Sequence, residues 1–375
     1  MIKGTSLLSA IVLLAVLLGS MGCTAASPTP ASSPITDILG RTVNVPPQVE
    51  RVVCVGPGAL RLAVYMEAQD RVVGVEGVEK RWSPRGRPYI MAHPELRERP
   101  TIGPGGPGRA PDPEAILRVQ PHLILATYMD ASTADTLQRN THIPVLVLSY
   151  GPIGSFGPPF LKSLDILGRS LHKEDRAKAV RAFIDSVESD LRTRVKDIPP
   201  EEKPTVYVGG VGHKGAHGIE STQAHFPPFQ LVEARNVADE LGGSHHMVSK
   251  EQILLWDPDV IFVDEGGLAL IIADAKENPH FYRGLRAFRE GRVYGLLPFN
   301  FYATNVGTAL ADAYYVGRVL YPQQFQDVDP ALQADRIYEF LVGRGVYREM
   351  ARAFGGFRPL DIPHMQVEEG LPVAP

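Results

Sequence analysis

Residues 251–262 read EQILLWDPDVIF, and residues 114–125 read EAILRVQPHLIL. Each stretch begins with Glu, contains an Ile-Leu pair, is interrupted by one Pro and ends in an apolar run. The pattern predicts a short helix that stops before the Pro and a buried strand that follows it. The two copies start 137 positions apart (114 and 251), far more than the repeat of a solenoid or a propeller. We therefore predict a duplicated lobe that carries this unit once in each copy.

Short apolar runs alternate with helical patterns through both halves of the chain. Strands that alternate with helices predict an α/β fold, with a doubly wound parallel sheet in each of two lobes. Residues 35–46 lose their alternation at Gly40-Arg41, which predicts a hairpin. Asp112 and Pro113 are typical of a helix start. The predicted strands are 51–56, 71–76, 122–128, 143–150, 205–212, 259–265 and 292–298, and the predicted helices include 111–120, 131–140, 229–242, 250–256, about 305–317 and 330–354.

One long helix is predicted between the lobes. Its apolar residues follow three- and four-residue steps, with charged residues elsewhere and no Gly or Pro before Pro199. A helix over 173–197 would be about 37 Å long, so we predict a rigid strut rather than a flexible hinge. The apolar positions are Ala177, Val180, Ile184, Val187, Leu191 and Val195.

The first residues have the pattern of a secretory signal. Lys3 precedes the apolar run SLLSAIVLLAVLLG (6–19), which is short for a membrane span. Gly22-Cys23 resembles a bacterial lipobox junction, although Ser20 stands where that motif prefers Leu. The polar stretch TAASPTPASSP (24–34) is typical of a tether. We predict a signal peptide over 1–22 and a lipid-anchored flexible tether over 23–34, lipidated at Cys23; plain cleavage is the alternative.

The composition of the whole chain limits the functions it can have. It has 375 residues, 44% hydrophobic and 21% charged, which is typical of a globular protein. A net charge of −4 and a pI near 6.3 provide no basic field for nucleic acid. Cys54 is the only cysteine besides Cys23, so no disulfide framework is expected, and Cys54 is predicted to be a buried small hydrophobe. The predicted domains are an N-terminal α/β lobe (35–171), an interlobe linker helix (172–198), a C-terminal α/β lobe (199–320) and C-terminal helices with a loose tail (321–375).

Together these features resemble the periplasmic binding proteins for Fe(III)-siderophores, cobalamin and haem, the solute receptors of ABC importers. The resemblance covers about residues 35–320 and is carried by ILGRTVNVP with RVVCVG, PDPEAILRVQPHLIL, the linker helix and EQILLWDPDVIF. It implies two lobes on a helical backbone, capture of a ligand in the cleft between them, and little hinge motion. It also implies a monomer with no resident cofactor and no catalysis, whose partner is an ABC permease dimer with its cytoplasmic ATPase.

The resemblance also implies a docking role for two glutamates. In this family one acidic residue on each lobe docks onto arginines of the permease dimer, and those acids match Glu114 and Glu251 here. A two-lobed receptor that meets a two-fold partner needs equivalent charges on both lobes. The alternative is that each Glu only favours a helix N-terminus, worth about 0.3–1 kcal/mol.

Candidate ligand residues follow the predicted strands, because ligands of open α/β sheets bind beyond the carboxyl ends of strands. Arginine provides permanent charge for the carboxylate or catecholate oxygens of an anionic chelate. Tyrosine provides an apolar face with a polar tip, and one glycine-rich loop (209–229) carries several histidines. The candidates are Arg61, Arg81, Arg85, Arg87, Tyr89, Tyr128, Tyr150, His213, Lys214, His217, His225 and Tyr302.

The predicted function is therefore capture of an iron(III) chelate of siderophore type. Cobalamin, haem or a bare metal ion held by the histidine loop are alternative cargoes. An alternative of another class is an extracytoplasmic metal-dependent enzyme that uses His217 and Glu220 as acid and base. GPGGPG (103–108) fits a dinucleotide motif only literally, because no clear strand precedes it and two prolines lack amide donors. His245-His246 is predicted to be a capping surface feature after a helix end.

Overall fold

The computed structural model describes residues 33–106, 108–152 and 154–366. The predicted signal peptide, the lipidated Cys23, nearly all of the tether and the tail after residue 366 lie outside these ranges. Within these three ranges no helix has both the length and the apolar character needed to span a bilayer.

The predicted hairpin is confirmed at the start of the described chain. Strands β1 (Ser33–Thr36) and β2 (Thr42–Val45) pair antiparallel. Gly40 takes a positive φ of 81° in the turn between them. The carboxylate of Asp37 closes this turn by accepting the amides of Leu39 and Arg41, each at 3.0 Å. Residues 33 and 34, which the sequence assigned to the tether, therefore already belong to β1.

The first lobe is built on a parallel sheet. Its elements are β3 (Val52–Val55), α1 (Ala59–Tyr65), β4 (Val72–Gly74), α2 (Gly77–Arg81), α3 (Pro88–Ala92), α4 (Pro113–Arg118), β5 (Leu123–Thr127), α5 (Ala131–Thr141), β6 (Val145–Leu148) and α6 (Pro158–Leu171). The strands run in the order β4-β3-β5-β6, and every neighbouring pair is parallel. β5 is buried along its whole length, as its continuous apolar run predicts for a central strand. The Cys54 side chain lies in β3 and is buried, which confirms its prediction.

The predicted linker helix is confirmed as α7 (Glu174–Val195). All six apolar positions predicted for its inner face are buried. They join a core cluster that continues into both lobes, so α7 is packed along its length and not suspended between them. Burial of one whole face gives the rigid strut that the sequence predicts.

The second lobe repeats the first. Its elements are β7 (Thr205–Gly209), β8 (Ser221–Gln223), α8 (Pro227–Leu231), β9 (Arg235–Asn236), β10 (His245–Met247), α9 (Lys250–Trp256), β11 (Val260–Asp264), α10 (Leu268–Glu277), α11 (Pro279–Gly284), α12 (Arg286–Arg289), β12 (Val293–Leu296), α13 (Val306–Leu320), α14 (Pro330–Val342) and α15 (Tyr347–Phe354). The parallel sheet runs β9-β7-β11-β12, which is the strand order of the first lobe. In both lobes the helix and strand predicted as a duplicated unit, α4 with β5 and α9 with β11, hold the same place.

Two helix predictions in the second lobe are wrong. The helix predicted over 229–242 ends early, because Glu233 takes a positive φ of 50° and the chain then forms β9 and a 3-10 turn, Val237–Leu241. The helix predicted over 330–354 is two helices, because Gly343 ends α14 in a left-handed conformation. The histidine pair does follow a helix end: it comes after the 3-10 turn, and the ring of His246 hydrogen-bonds the carbonyl of its C-cap residue, Gly242, at 2.5 Å. Both histidines also lie in β10, which pairs with β8 and was not predicted.

Candidate functional site

A cavity of about 610 Å³ lies between the two lobes. The first lobe contributes the turns that follow β3, β4 and β5, and the second contributes the turns that follow β7 and β12. This is the region beyond the carboxyl ends of the strands, next to the place where strand order reverses, where open α/β sheets bind ligands. The lining residues are 55–57, Glu76, Trp82, 106, 108–111, 127–130, Thr133, 212, 214, 215 and 300–303.

Gly56 allows two strand ends to meet at the cavity wall. Its φ is +90°, and a Cβ at this position would lie 2.4 Å from the carbonyl oxygen of Thr127. The hydroxyl of Thr127 in turn donates to the carbonyl of Pro57 at 2.8 Å. Only glycine fits here, because any other residue would be strained and would also clash.

Several lining residues hold a left-handed backbone. Among the described residues that line the cavity, Tyr128, Lys214, Tyr302 and Ala303 have φ between 51° and 65° although none is glycine. Such a conformation costs about 1–3 kcal/mol per residue and persists only where the surroundings impose it. Strain of this kind gathers at ligand-binding loops, which is consistent with a binding role for this cavity.

Arg61 holds the segment that carries two of these strained residues. Its guanidinium, on α1 of the first lobe, is buried and donates to the carbonyls of Phe301 at 3.0 Å, Tyr302 at 2.9 Å and Thr304 at 2.9 Å. Asn305 adds a bond in the other direction, donating to the carbonyl of Gly86 at 3.2 Å. The two lobes are thus held together at the cavity wall, and Arg61 itself does not line the cavity.

Glu76 is a carboxyl that lines the cavity and is only 6% exposed. The hydroxyl of Tyr302 donates to its Oε2 at 2.7 Å, across the lobe boundary, and the Gly106 amide donates to that hydroxyl at 3.2 Å. Burial raises the pKa of Glu76 to about 7, and hydrogen bonds from Tyr302 and the Gly56 amide oppose the rise. Glu76 is therefore the lining group that titrates near neutral pH.

A buried network positions Trp82 beside the cavity. Arg87 pairs with the carboxylate of Glu79 and donates to the carbonyls of Trp82 and Ser83, each at 2.9 Å. Tyr89 donates to the same carboxylate at 2.9 Å. The ring of Trp82 meets Tyr302 edge to face at 5.2 Å between centroids. Arg87 and Tyr89 thus support the wall from within.

The structure brings some of the predicted ligand residues to the cavity and leaves most outside it. Tyr128, Lys214 and Tyr302 line it. Arg61, Arg87, Tyr89 and Tyr150 do not line it; all four are buried, and each hydrogen-bonds at least one protein group. Arg81 and Arg85 are exposed outside the lining.

The histidines of the glycine-rich loop do not line the cavity. Their contacts are with other protein groups outside it. His213 stacks on His245 at 4.2 Å between ring centroids, and His217 hydrogen-bonds the carbonyl of His213 at 2.8 Å. His225 is exposed near Asp239. Burial lowers the pKa of His245 to about 4, so this ring is neutral at pH 7. Within the described ranges no three His, Cys, Asp or Glu side chains are grouped so as to hold a metal ion.

Sequence reasoning missed part of the lining. Glu76 is the last residue of the predicted strand 71–76, and Trp82 and Asn300 follow predicted strands, but the candidates named from the sequence are arginines, tyrosines, histidines and one lysine. Arg109 is not among the candidates, because it follows GPGGPG, a stretch whose only recognised pattern is a dinucleotide motif. Residues 106 and 108 of that stretch line the cavity, so proximity to a predicted cleft was the available signal.

The lining combines aromatic faces with a few charges. Trp82, Phe301 and the two tyrosines provide the aromatic surface. Arg109 and Lys214 are exposed cations that form no ion pair with any described residue. An aromatic pocket with few convergent polar groups is typical of a site for a small molecule.

Comparison with known proteins decides the family. The family model of periplasmic binding proteins matches residues 52–298, which is well over half of the chain. The chain belongs to the periplasmic binding protein family. This binding protein is accordingly an extracytoplasmic solute-binding protein of an ABC importer and not an enzyme.

Individual relatives differ in the cargo that their names give. The binding protein is 25% identical over 338 residues to the molybdate-binding protein MolA of Haemophilus influenzae, covering 84% of this chain and 92% of that one. It is 24% identical over 134 residues to the Fe(3+)-citrate-binding protein YfmC of Bacillus subtilis, covering 36% and 41%. A periplasmic solute binding protein from Veillonella parvula has a solved structure with a TM-score of 0.66 at 17% identity, covering 86% of this chain and 96% of that one. These similarities confirm the two-lobed fold and leave the cargo open.

Proposed function

We propose that this binding protein captures an anionic metal chelate, in the first place an Fe(III) chelate, in the interlobe cavity and delivers it to the permease of its importer. The observation that carries the proposal is the cavity itself, with about 610 Å³ between aromatic walls and two cations, Arg109 and Lys214, that form no ion pair with a described residue. Aromatic faces suit the organic part of a chelate, and the cations suit its negative charge.

The size of the cavity favours a chelate over a bare oxyanion such as molybdate. Four oxygen atoms around one metal occupy on the order of 100 Å³, if each takes the volume of a water molecule. Such an anion would leave most of the 610 Å³ unfilled. Organic ligands, in contrast, fill pockets of about 300–1,000 Å³. Haem and cobalamin remain alternatives of the same class, and a bare metal ion finds no group of ligand side chains among the described residues.

A thermal-shift screen tests the cargo. Ferric citrate, a ferric hydroxamate, a ferric catecholate, molybdate, haem, cobalamin and divalent metal ions would be added separately to the purified protein. A ligand at about 100 times its Kd stabilises the folded state by about 2.7 kcal/mol, which raises Tm by a few degrees. The proposal predicts shifts with ferric chelates. A rise in Tm with molybdate alone would show that the cargo is an oxyanion and not a chelate.

A pair of arginine variants locates the binding. Arg109→Glu reverses a charge in the cavity and should remove the shift given by the ferric chelate. Arg139→Glu makes the same change on α5, outside the cavity, and should leave the shift unchanged. Equal shifts in both variants would argue that the chelate binds elsewhere.

The delivery step is proposed to use Glu114 and Glu251. Both are exposed in the first turn of α4 and α9, the matching helices of the two lobes. Three residues further on, Leu117 and Leu254 are also exposed, at 43% and 40%, so each lobe presents the same acid beside the same apolar group. Two such patches are suited to a two-fold partner.

Uptake assays test the docking. Glu114→Lys with Glu251→Lys should abolish uptake of the cargo and leave its affinity for the purified protein unchanged. Glu50→Lys with Glu201→Lys makes the same charge change at exposed sites, one in each lobe, and should transport normally. Normal uptake in the first pair would refute the docking. Anchoring through a lipid on Cys23 stays a prediction from the sequence.

A further inference from the structure

Glu76 and Tyr302 form a hydrogen-bonded pair in which each lobe contributes one residue. Both line the cavity and both are at least nine-tenths buried, at 6% and 8% exposure. The Tyr302 hydroxyl bonds Oε2 of Glu76 at 2.7 Å and accepts the Gly106 amide at 3.2 Å. A Cβ on Gly105 would lie 2.5 Å from the Cβ of Glu76, so only glycine lets this loop close over the pair.

The charges around Glu76 come from several elements. Glu79 on α2 opposes ionisation of Glu76. The charge of Glu79 is itself largely balanced by its direct ion pair with Arg87. The thiol of Cys54 on β3 is buried and neutral, since burial raises its pKa. In the cavity itself the charged groups are Arg109 and Lys214, and a carboxylate on Asp130, whose pKa is lowered by hydrogen bonds from Thr133. Burial outweighs these groups and leaves Glu76 with a pKa of about 7.

The direction of the hydrogen bond depends on the proton of Glu76. When Glu76 is ionised, the hydroxyl of Tyr302 must donate to it. When Oε2 is protonated, the carboxyl donates instead, and the phenol oxygen accepts both that bond and the Gly106 amide. A phenol oxygen has two acceptor positions, so both bonds can form together. The phenol hydrogen is then released, and Tyr302 can donate it into the cavity.

We propose that Glu76 and Tyr302 are a proton-linked donor for the cargo: the neutral Glu76 lets the Tyr302 hydroxyl donate to an anionic oxygen of the chelate. Capture of an anionic cargo then takes up one proton from solution onto the carboxylate of Glu76. The ionised pair disfavours capture twice, because it adds a like charge and withdraws the donor. This inference rests on the anionic cargo proposed above.

The pair predicts how affinity changes with pH. With half ionisation near pH 7, the neutral fraction of Glu76 falls from about nine-tenths at pH 6 to about one-tenth at pH 8, so the apparent Kd rises about tenfold over that range. In Glu76→Gln the side-chain amide donates to the phenol oxygen at every pH. That variant should show no such rise and at pH 8 should bind about tenfold more tightly than the unmodified protein.

Calorimetry counts the proton directly. Ferric citrate is titrated at pH 7 into the protein in two buffers, phosphate and Tris, whose heats of ionisation differ. Protons that the ferric citrate itself releases or takes up are the same for every variant, so they cancel when two variants are compared. The unmodified protein should take up about 0.5 proton more per bound chelate than Glu76→Gln. Asp130→Asn, which removes the other cavity carboxylate, should keep that uptake. Equal uptake by the unmodified protein and Glu76→Gln, or weaker binding by Glu76→Gln at pH 8, would overturn the inference.

A second measurement separates this inference from the proposed cargo. If ferric citrate gives no binding, that cargo is refuted, and an infrared pH titration of the unliganded protein decides the state of Glu76. The spectrum minus that of Glu76→Gln should contain a neutral carboxyl band that disappears with a midpoint near pH 7. Absence of that band at pH 6 would show an ionised Glu76 and would overturn the inference independently of any cargo.

Discussion

Replacement of Arg61 by methionine tests whether this arginine fastens the lobes. The change keeps an apolar stem but leaves the carbonyls of Tyr302 and Thr304 without their donor. The carbonyl of Phe301 keeps the side-chain amide of Asn305 at 3.1 Å. Each buried carbonyl that loses its partner costs about 1–3 kcal/mol. Water from the adjoining cavity can reach part of this segment, so we expect the lower end of the sum for two carbonyls, about 2 kcal/mol. The freed segment carries Tyr302 and Ala303 in strained conformations, so cargo affinity should fall as well.

The assay is thermal unfolding followed by circular dichroism, with Arg81→Met as the matched control. Arg81 is exposed and donates one hydrogen bond, to the carbonyl of Pro104 at 3.0 Å. Its replacement should cost no more than about 0.5 kcal/mol, which is typical of a surface site. Arg61→Met should lower Tm by several degrees more than Arg81→Met. Equal Tm values for Arg61→Met and Arg81→Met would refute the role of Arg61 in holding the two lobes together.

Three further predictions concern the fold. Gly56→Ala should destabilise the protein and weaken binding. The control is Gly40→Ala, which has a similar φ but no atom within 4 Å of the added Cβ and should cost only backbone strain. Chemical denaturation measures the stability of both variants. Ile184→Ala on the linker helix should cost about 2–5 kcal/mol, and Arg181→Ala on its exposed face less than about 0.5 kcal/mol, by the same assay. Burial raises the pKa of Asp264 to about 7, so the folded state retains a proton that the unfolded chain loses near pH 4. Stability should therefore fall as pH rises from 4 to 7, by up to about 4 kcal/mol from this group, and Tm against pH should be flatter in Asp264→Asn.

The fold was predictable because its signals are local and periodic. The run HLILATY becomes the fully buried β5, and the six apolar positions of α7 are all buried. The failures also have local causes. A helical pattern over 229–242 gave no sign that Glu233 would adopt a positive φ, which depends on tertiary contacts.

The cleft was predictable, but most of its side chains were not. Strand ends identify the loops, as Tyr128 and Tyr302 illustrate, because parallel strands deliver their carboxyl ends to one edge. The charge of Arg61 and Arg87 predicts a contact with an anionic ligand, yet in the fold they bind backbone carbonyls and Glu79. Whether an arginine faces a ligand or an internal acceptor depends on residues distant in sequence, such as the 240 positions that separate Arg61 from Phe301.

The most direct test of the account is anomalous X-ray scattering at the iron absorption edge from crystals grown with a ferric chelate that binds in solution. The account predicts one iron peak inside the cavity, surrounded by chelate density and bounded by Trp82, Arg109 and Lys214. An iron peak at the His213–His245 stack, without chelate density, would contradict it, and so would a cavity without iron in crystals whose protein binds the chelate.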